Sequence, residues 1–131
     1  MKKIRTFKIA GNLIAAALMV FFAVPKLVGA KKSLAGFEQF KSLVPLDPDV
    51  FRIFTGTIEL SIAILLLLYT FKSKAILGKI AYGALLATMI GGLVMEFFAR
   101  PQPEMMLVVI AIVLSLLSII RLKELLLNKK N

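Results

Sequence analysis

Apolar residues come in four long runs, and short segments rich in charge or proline separate them. The runs cover about residues 7–27, 51–71, 75–98 and 104–120. A helix needs about 20 apolar residues to cross the ~30 Å hydrocarbon layer of a bilayer, and each run is near that length. Alternation of apolar and polar residues with period two is missing, which argues against a membrane β-barrel. The strictly uncharged stretches are shorter than the runs, so flanking lysines are expected to lay their stems along the helices. The expected fold is all-α: a four-transmembrane-helix bundle, with residues 1–131 forming one integral membrane domain.

The separators predict how the runs are joined. Pro25 falls near the end of the first. In the next segment Leu34, Phe37, Phe40 and Leu43 or Val44 recur at spacings of three and four. That pattern predicts a short amphipathic helix lying at the membrane interface between the first two spans. Pro45 and Pro48 end it, and Asp47 or Asp49 is placed to cap the following span. Phe71-Lys72-Ser73-Lys74 reads as a tight turn. Pro101 and Pro103 block helix continuation in a second turn. The tail after Arg121 is expected to prolong the last helix into water.

Composition sharpens this picture. Hydrophobic residues make up 60% of the 131, against about 45–50% in a typical soluble domain. A soluble core of this size cannot hide the excess, so it is expected to face lipid. The formal net charge is +10. The basic residues sit between apolar runs and are not interleaved with aromatics, which favours membrane-flanking charge over nucleic-acid binding. With the N-terminus placed in the cytoplasm, eleven Lys and Arg fall inside and six outside. The excess predicts cytoplasmic termini, and short basic tails suit a bacterial inner membrane. Val28-Gly29-Ala30 has the small-residue pattern of a signal-peptide cleavage site. The length of the first apolar run and the nearness of Lys26 favour a retained span.

The chain contains no Cys, His or Trp. That excludes a disulfide, a thiol redox pair, a zinc–thiolate site and a His-ligated haem held by this chain alone. Any redox role requires a partner or a diffusible cofactor such as a quinone. No spacing of nucleophile and base points to a standalone enzyme.

The second run carries one ionisable residue in its interior, Glu59. Residues three, four and seven apart share a helix face. Arg52, Gly56, Glu59 and Ala63 therefore form one stripe, and Thr88, Gly92, Glu96 and Arg100 another. The first run contributes Asn12, Ala16, Met19, Ala23 and Lys26. The fourth contributes Glu104, Val108, Ala111, Ser115 and Ser118. These smaller, more polar faces are expected to meet inside the bundle, with Gly91-Gly92 serving packing. Glu59 lies eight residues past Phe51, about 12 Å down at the helical rise. An unpaired carboxylate there costs a few kcal/mol, of order 3. Lys26, helped by Arg52, is expected to neutralise it, so Lys26, Glu59, Arg52 and Glu96 form the candidate intramembrane polar site. The bland alternatives are that Lys26 and Glu59 only lock two helices together, and that Glu96 with Arg100 is a helix-end pair.

Those residues carry a resemblance. Pro25-Lys26-Leu27 at the end of the first span, Gly56-Thr57-Ile58-Glu59-Leu60 in the second and Leu86-Ala87-Thr88-Met89-Ile90-Gly91 in the third resemble motifs of the DoxX/DoxX-like family. The likeness covers about residues 11–121. The resemblance implies a small four-helix membrane protein. The family's founding member is named as a subunit of a terminal quinol oxidase complex, and relatives are linked to thiosulfate:quinone oxidoreductase and redox-homeostasis complexes. Some relatives carry a His late in the third helix, where this chain reads Leu93-Val94-Met95-Glu96.

Three functions follow as expectations. The leading one is an accessory or ligand-binding subunit of a membrane complex, holding a quinone or lipid-like molecule near Lys26 and Glu59. A small proton-coupled transporter is the second, although the first span carries no carboxylate and the chain no Trp. A purely structural assembly factor is the third. The partners implied are the lipid bilayer and subunits of a membrane complex, with no nucleic acid.

Overall fold

The computed structural model describes residues 2–100 and 104–127, with side chains from residue 5 onward. It is all-helical among those residues: α1 Lys2–Val28, α2 Lys31–Phe40, α3 Pro48–Lys72, α4 Ala75–Val94 and α5 Met105–Leu127. A single π turn, Met95–Ala99, extends α4. The four long helices α1, α3, α4 and α5 are long and apolar enough to cross a membrane. The expected turn at Pro101 and Pro103, and the basic tail at Lys129 and Lys130, lie outside the described residues.

Local chemistry sets the helix ends. Asp47 is the residue that caps α3, and its carboxylate accepts from Val50 N at 3.1 Å. Pro48 follows in the first helical turn, where its missing N–H costs no intrahelical bond. Ser73 closes α3 in the left-handed conformation with φ 55°, and its N–H bonds Tyr69 O. Ser73 and the extended Lys74 after it make the reversal into α4. Gly29, at φ 73°, makes the sharper exit from α1, a conformation glycine adopts without a Cβ penalty.

α1 packs on α3, α3 on α4, and α4 on α5. Contacts between α1 and α5, such as Gly11 near Leu117, bring the first helix back to the last. The centre is made of Ala15, Ala16, Met19, Ile62, Ala63, Leu66, Ala81, Tyr82, Leu85, Met89, Ala111 and Leu114. Lipid is as apolar as leucine, so burial alone does not hold such helices together; close packing between small residues does. The alanines among these residues allow that approach. Phe21, Ile64, Ile90, Val113 and Leu116 point outward and are more than half exposed or close to it, as a lipid-facing surface requires.

Two expectations about the interior face of the third span need correction. Thr88 is only half-buried and Gly92 is exposed, whereas Ala81, Tyr82, Leu85 and Met89 are buried. A Cβ at Gly91 or Gly92 would meet nothing within 4 Å. The pair therefore makes no close helix contact. The buried stripe follows the larger side chains that fill the centre.

α2 folds over the end of the bundle opposite the chain termini. Phe37 is buried, with ring contacts to Phe40 at 4.9 Å and Phe51 at 5.2 Å. Gln39 accepts from Arg100 Nε at 3.0 Å, and the Arg100 guanidinium lies over the Phe40 ring. Gly36 makes this possible, because a Cβ there would stand 2.6 Å from Arg100 Nη2. α2 is thus pinned to α3 on one side and to the α4–α5 connection on the other.

Candidate functional site

Glu59 lies on the buried face of α3 with 4% of its surface exposed. The Lys26 ammonium from α1 stands 2.8 Å from Glu59 Oε1. Helical side chains lean toward their own N-terminus. The two helices run in opposite directions here, so Lys26 leans down into the bundle and Glu59 leans up to meet it. Lys26 consequently reaches inward, the reverse of the snorkelling expected of a lysine at a span end. Its ammonium also donates to Phe22 O at 3.1 Å and sits over the Phe22 ring.

Gly56 explains why the helices come close enough. A Cβ at that position would lie 3.0 Å from Lys26 Cβ and 3.1 Å from two atoms of Leu27. The glycine admits the Lys26 stem, and the carboxylate one turn deeper receives its charge. The Gly-x-x-Glu spacing thus has a physical meaning in this chain. Beyond the Lys26 ammonium no other donor among the described residues reaches Glu59 Oε1, so the oxygen keeps unused acceptor capacity.

Arg52 does not reach Glu59 as expected. It donates to Lys26 O and to Asp49 Oδ1, the latter at 3.2 Å. The reason is again direction. Arg52 lies two turns nearer the α3 N-terminus than Glu59 and leans away from it. It secures the C-terminal end of α1, where a cation is favourable against exposed carbonyls, and so fixes the turn that carries Lys26.

Glu96 belongs to a separate cluster. It is buried, and Arg100 Nη1 donates to its two oxygens at 2.9 and 3.1 Å. Its Oε1 also accepts from Glu104 N at 2.8 Å, just ahead of α5. Glu96 therefore ties the π turn to the start of the next helix. Lys32 of α2 adds a contact to Glu104 at 3.4 Å.

A further polar cluster lies at the opposite end and was not singled out from the sequence. Arg121, 5% exposed, donates to Asn12 Oδ1 at 3.0 Å and to the Tyr69 hydroxyl at 2.9 Å. Tyr82 donates to the same Asn12 oxygen. The guanidinium also lies 5.2 Å from the Tyr82 ring centre and 5.7 Å from that of Tyr69. Four helices contribute to it. The available signal was phase: Asn12 is four residues before Ala16 on the buried face of α1, and Arg121 three after the fully buried Ser118 on α5.

Four apolar spans joined around buried ion pairs define an integral membrane protein. No protein-family model, curated protein or solved structure matches the chain.

Proposed function

We propose that this chain is a DoxX-like accessory subunit of a membrane redox or assembly complex that binds a quinone or lipid-like molecule beside Glu59. The observation that carries the reading is the Lys26–Glu59 pair. Its carboxylate retains acceptor capacity and its base is drawn inward, away from water. Ionisable groups held within a membrane helix bundle are functional by default. In this reading Lys26 donates to a ligand carbonyl, and Glu59 exchanges a proton with a ligand hydroxyl. Arg52 positions Lys26, and Glu96 has a structural part. A quinone would be a diffusible ligand, not a resident cofactor.

We place the protein in a bacterial inner membrane with both termini cytoplasmic, from the excess of Lys and Arg on that side. α2 then lies at the outer interface, its phenylalanines toward the bundle. The test is gentle-detergent purification of wild type and Glu59→Gln, with mass spectrometry of co-purified quinones, lipids and proteins. Glu59→Gln is expected to fold and to lose about tenfold in bound ligand, the size of one charged hydrogen bond. Full retention of a bound quinone or lipid by Glu59→Gln would remove the proposal.

A further inference from the structure

We propose that the end of the bundle carrying the chain termini binds a phosphate oxyanion in a cleft formed by Arg5, Lys8, Tyr69, Thr70, Ser73 and Arg121. These side chains line a cavity of about 130 Å³ between α1, the α3–α4 turn and α5. That is room for several waters or one tetrahedral oxyanion. The proposal is independent of the reading given for Lys26 and Glu59, which lie at the other end.

Three observations point to an anion. The first is the state of Arg121. Its guanidinium is buried, yet its close partners are neutral: the Asn12 amide oxygen, the Tyr69 hydroxyl and Lys8 O. Its Nε makes no hydrogen bond. The carboxylate beside it, Glu124, stands off at 3.9 Å and is drawn to Lys8 at 3.2 Å. A buried charge whose one counterion among the described residues is distant and shared with Lys8 is only partly neutralised, and the remaining cost falls when an anion enters. The second is Arg5, which has no hydrogen bond or ion pair among the described residues. The third is the surroundings: Lys72, Lys74, Lys79 and Lys123 are also at this end, and Glu124 is the single acid there among the described residues.

The donor set fits phosphate. Two guanidinium forks match paired oxyanion oxygens, and an ammonium and the Ser73 hydroxyl complete the donors. Three cations also exceed what one carboxylate can neutralise, whereas a phosphomonoester carries close to two negative charges. Depth agrees as well. Arg121 lies sixteen residues along α5 from Met105, about 24 Å by helical rise, which brings it near the far edge of a ~30 Å hydrocarbon layer. Arg5 and Lys8, nearer the N-terminus on α1, carry the cleft from there toward the headgroup layer where lipid phosphates lie, and basic clefts between helices take anionic headgroups.

Native mass spectrometry of the full chain in detergent tests this, with phosphatidic acid, phosphatidylcholine and inorganic phosphate as separate probes. Wild type is expected to bind phosphatidic acid about tenfold more tightly than phosphatidylcholine, and Arg5→Gln to lose about that factor. Arg5 is exposed, so Arg5→Gln should melt like wild type in the absence of lipid. Lys8→Gln provides a second variant, and Lys123→Gln, outside the cleft, should bind like wild type. Displacement of the lipid by inorganic phosphate would assign the site to a soluble phosphate; resistance to it would assign a headgroup. Equal affinity for the two lipids together with no phosphate binding, or unchanged binding by both Arg5→Gln and Lys8→Gln, would overturn the proposal.

Discussion

The two ends of the bundle handle buried charge in different ways. At the α2 end, six cations accompany six acids among the described residues. Each buried carboxylate there has a base in contact, Glu59 with Lys26 and Glu96 with Arg100. At the terminus end, seven cations with described side chains accompany Glu124 alone. Arg121 is held by an amide, a hydroxyl and two aromatic rings. One end is neutralised from within. The other is organised by dipoles and ring faces, which orient a cation without cancelling its charge. Structure at the α2 end therefore depends on both members of each pair, while at the terminus end it rests on neutral groups around Arg121.

The largest expected effect is at the α2 end. Lys26→Ala leaves Glu59 buried without its base and should destabilise the bundle by about 3–5 kcal/mol, read as the unfolding free energy in mixed micelles. An effect below that of an ordinary surface substitution would show that Glu59 reaches water or lipid headgroups. Next in size is Asn12→Leu, which removes the oxygen shared by Arg121 and Tyr82. The expected loss is about 2 kcal/mol, the usual cost of a buried polar group left without its partner, measured in the same assay. Smallest is Glu124→Gln. Lys8 and Glu124 are each more than two-fifths exposed, so breaking that pair should cost less than about 0.5 kcal/mol. If Glu124→Gln matched Asn12→Leu, Glu124 would be the counterion of Arg121 and the contrast between the ends would disappear.

Much of this arrangement can be read in the residues. The spans are visible as apolar runs because lipid selects composition over length, and the cap of α3 is narrowed to Asp47 or Asp49, of which the structure uses Asp47, just ahead of Pro48. The spacing of Leu34, Phe37 and Phe40 anticipates a helix here, although α2 stops at Phe40, short of the expected Leu43 or Val44 and well before Pro45. Lys26 and Glu59 can be paired from helical phase and depth. What escaped the sequence depends on direction and neighbourhood. Arg52 shares the Glu59 stripe but leans the other way. Thr88 and Gly92 share a phase with Glu96, yet the large side chains of Tyr82 and Met89 decide which face turns inward. The Asn12, Tyr69, Tyr82 and Arg121 cluster joins four helices, and spacing within one helix cannot tell which helices become neighbours.

Glu59 stays inside the bundle because Lys26 from another helix neutralises it. A double-mutant cycle of Lys26→Met and Glu59→Gln in bilayer-like bicelles measures that dependence directly. A coupling free energy of about 1.5–3 kcal/mol is expected, with the double variant more stable than Lys26→Met alone. Single effects that add to within about 0.5 kcal/mol would show that Lys26 does not neutralise Glu59.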